Sequence, residues 1–436
     1  MKNILFMLLL IVGFWRCQHE DHFFDISVDR ENFTFQPMAG GAIMRYTLPR
    51  DKDVLSIRVR YQDALGNEIL RTGSYACDSL MLIGFNEARK RVPAIVTVCD
   101  RNNVESEPVE VFFDTEDSGP VAFFNHLEVK PGWNGFMITY DAPKKARGIA
   151  HVFYVGKDPK TQQPDTLLLS SFAINEGSDT LAFALKQSEE TNQVVIRTED
   201  FRGYMVKQKI WEKVEAYNTE KLAPSKFKFE DPENLSRENP ELKLGYEYLF
   251  DGDTKGLICL NTGEQIFNTY LAGPGAVGVP LFILDLQEPR MIASVNLYAL
   301  LYVQKTFPWG DKIWRNGTLM DMLPCKVSVY VSNDKNNEAS WKKMAFFEED
   351  KDMTVVSRWC SRAYGIMYSS ILNEPEEIEK AEPCCVEMNL PATGEAYRYV
   401  KVVVDELFNC YEGYPFGLNT GQYVTLHEVE IYTSKD

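Results

Sequence analysis

Between residues 24 and 113 the chain is written in short runs of alternating apolar and polar residues, each stopped by turn-forming residues. Residues 42–47, 54–61, 94–99 and 108–113 read as strands, with Gly66-Asn67 and Arg101-Asn102-Asn103 as turns. Side chains of a strand alternate between two faces, so runs this short bury one face each and must pair with neighbours. No long amphipathic helix competes over this stretch, which restricts it to an all-β sandwich.

The next hundred residues repeat the plan. Ala42-Ile43-Met44-Arg45-Tyr46-Thr47-Leu48-Pro49 aligns with Phe136-Met137-Ile138-Thr139-Tyr140-Asp141-Ala142-Pro143. Likewise 94–100 followed by 104–109 matches 193–200 followed by 203–210. A strand before a proline and a closing hairpin at similar offsets resemble fibronectin type III modules, an immunoglobulin-like sandwich. The resemblance implies two tandem sandwiches, 24–116 and 117–215, and carries no site. Acidic and turn-forming residues at 115–120 mark the boundary between them.

Pro224, Pro232 and Pro240, set among many charges, make 216–243 read as an exposed linker. A different domain, 244–436, is expected beyond it. At about 150 residues per domain, a chain of 436 residues holds roughly three, and 45% hydrophobic with 25% charged residues is the composition of globular protein. The formal net charge of -17 repels polyphosphates and excludes nucleic acid as a natural partner, leaving neutral ligands open.

At the N-terminus one early lysine precedes the apolar run 4–15 and then Cys17. The run is shorter than the about 20 residues that a spanning helix needs, and reads as a secretory signal. A cysteine closing that run, followed by Gln18, His19, Glu20 and Asp21, resembles a bacterial lipoprotein signal, although Trp15 and Arg16 stand where small residues are preferred. The resemblance implies a signal peptide over 1–16, acylation of Cys17 and a tether over 17–23. The acidic residues after the cysteine resemble the export signal of surface lipoproteins of Bacteroidota, which implies an outer-membrane lipid anchor at the cell surface. An ordinary signal peptide with a chance cysteine is the alternative. The remaining cysteines show no Cys-x-x-Cys pairing with histidines, which argues against zinc and leaves disulfides or buried thiols.

From Tyr246 onward an ordered series of motifs resembles a discoidin domain, the galactose-binding-like jelly roll also called coagulation factor five/eight type C. Phe250-Asp251-Gly252-Asp253 is similar to its early acidic turn, and 280–286 and 289–299 to the strands that follow. The stretch 324–334 with Trp341 is similar to a later strand and turn, and 399–404 and 426–432 to the two closing strands. The segment between Trp341 and Tyr399, with Arg358-Trp359-Cys360 and the acidic run 374–379, has no counterpart in the ordinary module.

Many discoidin modules hold a structural calcium at the acidic turn, which by position implies Asp251, Asp253 and Glu428 as ligands. The family's threonine a few residues later is Gly256 here, and a capped turn accounts for the same residues. Ligand loops of the family correspond to 306–318, where Asn316-Gly317 followed by Asp321 is similar to sugar-binding relatives, with Trp309 in place of their arginine. A sugar presents one weakly apolar face and a rim of hydroxyls, so it needs an aromatic platform beside planar hydrogen-bonding groups. Trp309, Trp314, Arg315 and Asn316 supply that chemistry; tryptophans plugging the end of the barrel are the competing reading. The loop 409–419, with Tyr411, Tyr414 and Phe416, is a second candidate, or a packed Ω-loop.

No Gly-x-Ser-x-Gly, His-Glu-x-x-His or phosphate loop is present. The expectation is therefore a glycan-binding, non-catalytic lipoprotein of a polysaccharide-uptake system, working with other proteins of that system. An adhesin or scaffold binding protein partners is the first alternative. The second is a glycoside hydrolase, whose paired acids converge only in the fold and leave no local signature.

Overall fold

The computed structural model describes residues 24–255, 268–299, 304–306, 312–314, 322–349, 379–408 and 421–435, with 304–306 and 312–314 as backbone alone. The chain forms two compact units. One comprises Met1–Lys130, Met137–Ala182 and Thr191–Val214; the other comprises Pro131–Phe136, Phe183–Glu190 and Glu215–Asp436.

Seven strands come first: β1 (Phe33–Met38), β2 (Gly41–Tyr46), β3 (Val54–Gln62), β4 (Glu68–Ser74), β5 (Ser79–Ile83), β6 (Val92–Asp100) and β7 (Val109–Phe113). They pair as a three-stranded sheet, β1-β2-β5, and a four-stranded sheet, β4-β3-β6-β7. The alternation in β3 turns Ile57, Val59 and Tyr61 inward, where they meet Met44, Leu82 and Phe113. Each such burial is worth about 1.5–3 kcal/mol.

Helix α1 (Gly119–Ala122) follows, with Gly119, Pro120 and Ala122 buried. Thr198 Oγ1 donates to the Pro120 carbonyl at 2.9 Å, and a Cβ on Gly148 would lie 2.5 Å from the Pro120 ring. The boundary foreseen at 115–120 is thus a packed joint.

The next strands are β8 (Glu128–Gly132), β9 (Gly135–Ala142), β10 (Ile149–Lys157), β11 (Pro164–Ala173), β12 (Gly177–Ala184), β13 (Thr191–Glu199) and β14 (Met205–Glu215). Their sheets, β12-β9-β8 and β11-β10-β13-β14, reproduce the first sandwich strand for strand. Ile138, Val152, Val194 and Ile196 fill this second core. The aligned segments 42–49 and 136–143 fall on β2 and β9, so the internal repeat is structural.

The C-terminal strands are β15 (Thr219–Lys221), β16 (Lys228–Glu230), β17 (Tyr270–Ala272), β18 (Pro280–Arg290), β19 (Ile292–Ala299), β20 (Gln304–Thr306), β21 (Lys312–Trp314), β22 (Pro324–Ser332), β23 (Lys342–Glu348), β24 (Cys384–Asn389), β25 (Tyr397–Leu407), β26 (Val424–Leu426) and β27 (Glu428–Ser434). A four-stranded sheet, β15-β27-β19-β24, and a five-stranded sheet, β16-β18-β25-β22-β23, enclose one core that includes Phe282, Leu284, Val295, Leu297, Val329 and Val402. The two-stranded sheets β17-β26 and β20-β21 complete the described pairing.

The stretch 216–243 is not an exposed linker. β15 pairs with β27 and β16 with β18, and Leu222, Phe227 and Leu235 sink into the C-terminal core. Its prolines sit at turns, Pro224 opening the 3-10 turn Pro224–Lys226, while the apolar residues between them supply the burial that holds the segment down. Among the thiols, Cys99 is buried and Cys77 is exposed.

Candidate functional site

The acidic turn after Phe250 meets the last strand of the same unit. Asp251 Oδ1 accepts from Asp253 N at 2.8 Å, and Glu428 Oε2 accepts from Gly252 N at 3.1 Å, with Gly252 at φ +86°. Asp251 and Glu428 also share a side-chain hydrogen bond. Burial first, then the neighbouring charges of Asp251 and Glu430, push the Glu428 carboxyl up to about 8, so it holds a proton at neutral pH. Burial likewise raises Asp251. Asp253 turns instead toward fully buried His427, whose Nε2 lies 3.9 Å from Asp253 Oδ2. Desolvation pushes that imidazole down to about 4 and keeps it neutral.

The structure therefore brings two of the three expected calcium ligands, Asp251 and Glu428, into contact, with Asp253 one step away. Carboxylate oxygens that crowd each other suit a hard divalent cation in chemistry, since an ion would take the place of the shared proton. In this arrangement no three His, Cys, Asp or Glu side chains among the described residues are spaced to hold one. Position 256 lies outside the described residues.

On the neighbouring positions of β27, Glu430 is buried within a polar net. Tyr298 Oη donates to it at 2.6 Å, Tyr432 Oη at 3.1 Å and Lys221 Nζ at 2.5 Å. Burial acts to raise this carboxyl, but these donors outweigh it and the net displacement is downward.

Of the residues expected at the ligand loop, Trp314 closes the β20-β21 hairpin, its backbone paired opposite Gln304. Trp309, Arg315, Asn316, Tyr411, Tyr414, Phe416 and Cys17 lie outside the described residues. Among the described residues no helix is long and apolar enough to cross a membrane.

One cluster escaped the reading of the sequence. Arg202, in the β13-β14 turn, donates through Nη1 to Asp63 Oδ2 at 2.8 Å, and through Nε and Nη2 to Asp200 Oδ2 at 3.0 and 2.8 Å. The two carboxylates come from hairpins of the first and second sandwich. Both also accept turn amides: Asp63 Oδ1 from Leu65 N and Asn67 N, and Asp200 Oδ1 from Arg202 N and Tyr204 N. Asp63 and Arg202 are 139 positions apart, beyond the reach of any local pattern.

Comparison with known proteins adds one match to a family. Residues 28–115 match a domain of unknown function (DUF4959), a span that coincides with the first sandwich and covers less than half of the chain. No curated protein matches the sequence. Among the solved structures that are similar to parts of it are the following two. A SusE-like protein is 15% identical over 72% of this chain and 99% of that chain, with a TM-score of 0.38. A segment of two fibronectin type III domains from chicken tenascin is 13% identical over 41% of this chain and 97% of that chain, with a TM-score of 0.19. Likenesses at this level carry neither fold nor function across to this chain.

Proposed function

We propose that the chain is a cell-surface lipoprotein, anchored to the outer membrane through Cys17, that binds carbohydrate as a non-catalytic accessory of polysaccharide capture and uptake. The observation that carries this reading is the order of the discoidin-like motifs within one two-sheet sandwich. The stretches 280–286, 289–299, 324–334, 399–404 and 426–432 coincide with β18, β19, β22, β25 and β26 with β27. The segment rich in aromatic and amide side chains falls between β19 and β22, where sugar-binding relatives carry their contacts.

In this reading Trp309 and Trp314 stack on the apolar face of a sugar, and Arg315 and Asn316 address its hydroxyls, with Tyr411, Tyr414 and Phe416 as a second set. Asp251, Asp253 and Glu428 hold the acidic turn, and would be the residues to receive a structural calcium. A shallow site of this kind binds with a dissociation constant on the order of millimolar to micromolar, because hydrogen bonds to water are exchanged for similar ones. Display of many copies on a membrane raises the avidity.

Calorimetry with Trp309→Ala and Trp314→Ala tests the reading. Weakened binding with an unchanged melting temperature supports it; full binding in both variants removes this loop as the site.

A second reading, a scaffold for protein partners, rests on an apolar stripe across the outer face of β11-β10-β13-β14. Leu168 and Val195 flank Phe153 in register, and Ile210 follows on β14. Leu168 is 56% and Ile210 44% exposed.

A further inference from the structure

The turn between β13 and β14 is a modified copy of the turn between β6 and β7. In the first sandwich Asp100 Oδ1 accepts from Asn102 N and Val104 N, both at 2.8 Å, and Asn103 takes φ +64°. In the second, Asp200 Oδ1 accepts from Arg202 N at 2.9 Å and Tyr204 N at 3.1 Å, and Gly203 takes φ +83°. The backbone device is the same, while Arg101, Asn102 and Val104 have become Phe201, Arg202 and Tyr204. Neither ring is needed to close the turn. Phe201 is 58% and Tyr204 57% exposed, and the guanidinium carbon of Arg202 lies 5.7 and 5.4 Å from their centroids.

Arg202 itself is fixed. Its bonds to Asp63 and Asp200, whose side chains are 1% and 5% exposed, use three of the five N–H groups of the guanidinium, and 21% of its side-chain surface stays open to solvent. Two exposed aromatic rings thus flank a planar donor whose rotamer is already set, so a ligand there does not bear the cost of ordering it. The two carboxylates outnumber the guanidinium, which disfavours phosphate, sulfate or a carboxylate ligand. Exposed rings beside a fixed planar donor match a neutral, hydroxyl-rich molecule with an apolar C–H face.

We infer that the Phe201–Arg202–Tyr204 turn is a second carbohydrate-binding site, for a neutral sugar unit, separate from the C-terminal loop. The inference rests on the reading of the chain as a glycan binder, and it adds a site on the tandem sandwiches. Because Asp63 belongs to the first sandwich and Arg202 to the second, the site is complete only while the two are docked.

The test is affinity electrophoresis of the intact protein in gels cast with galactan, xylan, mannan or starch. Four forms are compared: the parent, Trp309→Ala with Trp314→Ala, Phe201→Ala with Tyr204→Ala, and all four substitutions together. The parent should be retarded by at least one polymer, each pair should reduce that retardation, and only the fourfold variant should run as in a blank gel. If Phe201→Ala with Tyr204→Ala lowers the melting temperature, Phe201→Leu with Tyr204→Leu restores apolar bulk without a ring face, and should show the same reduced retardation while keeping stability. Parental retardation in either turn pair overturns this inference and leaves the glycan reading standing. A parent that is retarded by none of the polymers overturns both.

Discussion

The first and second sandwiches share strand order, Asp-led hairpins and an alternating core, and they part company on the outer face of the four-stranded sheet. In the first, Glu105 accepts from Arg58 at 2.7 Å, from Arg60 at 2.5 and 2.6 Å and from Thr97 at 2.7 Å, a closed ionic net. In the second, the corresponding sheet carries Phe153, Leu168, Val195 and Ile210, with Arg197 laid over the Phe153 ring at 4.8 Å. One topology therefore tolerates opposite surfaces, because the inward residues determine the fold and the outward ones are free to vary. Function specific to one repeat is to be sought where the repeats differ.

The largest effect should come from the hairpin aspartates. Asp63 and Asp158 lead equivalent hairpins, and each accepts two turn amides. Only Asp63 also receives Arg202. Asp63→Ala leaves buried donors unmet and should cost about 3 kcal/mol in urea denaturation, whereas Asp158→Ala should cost a small fraction of that. Equal losses would mean that the clamp adds nothing beyond the turn.

Next in size is the ionic net of the first sandwich. The bonds from Arg60, assisted by Thr97 and Arg58, hold the Glu105 carboxyl down at about 2, against an ordinary value of 4.5. A depressed carboxyl contributes stability that is present above about 4.5 and is lost as pH falls through about 2. Glu105→Gln should cost on the order of 2 kcal/mol at neutral pH and flatten the acid limb of the stability curve. An unchanged acid limb would show that the net is a surface decoration.

The smallest effect belongs to the apolar stripe. Leu168→Ser and Ile210→Ser, at exposed positions, should each change stability by less than about 0.5 kcal/mol. A larger loss in differential scanning calorimetry would make the stripe part of the fold and remove it as a surface for partners.

Much of this was readable in the sequence, for a physical reason. Strands foreseen at 54–61 and 94–99 appear as β3 and β6, extended by one to three residues, since period-two alternation marks any strand with one buried face. β15 and β16 escaped notice because strands of three residues hold no period, and their apolar anchors, Leu222 and Phe227, stand among prolines and charges. At the acidic turn, Asp251 and Glu428 were named as candidates by resemblance alone, lying 177 positions apart in the numbering. The Asp63–Arg202 clamp lacked even that guide. One signal was present: aligned on their aspartates, the two repeats exchange Arg101-Asn102-Asn103-Val104 for Phe201-Arg202-Gly203-Tyr204, an aromatic gain that a turn does not need.

The central claim, recognition of carbohydrate without turnover, is tested most directly by incubating the purified mature protein with a panel of polysaccharides while following both retention and the release of reducing ends. Retention on at least one neutral polymer is expected, with reducing ends at the level of the protein-free control. Retention on none of them, or a rise in reducing ends that scales with protein concentration, would contradict it.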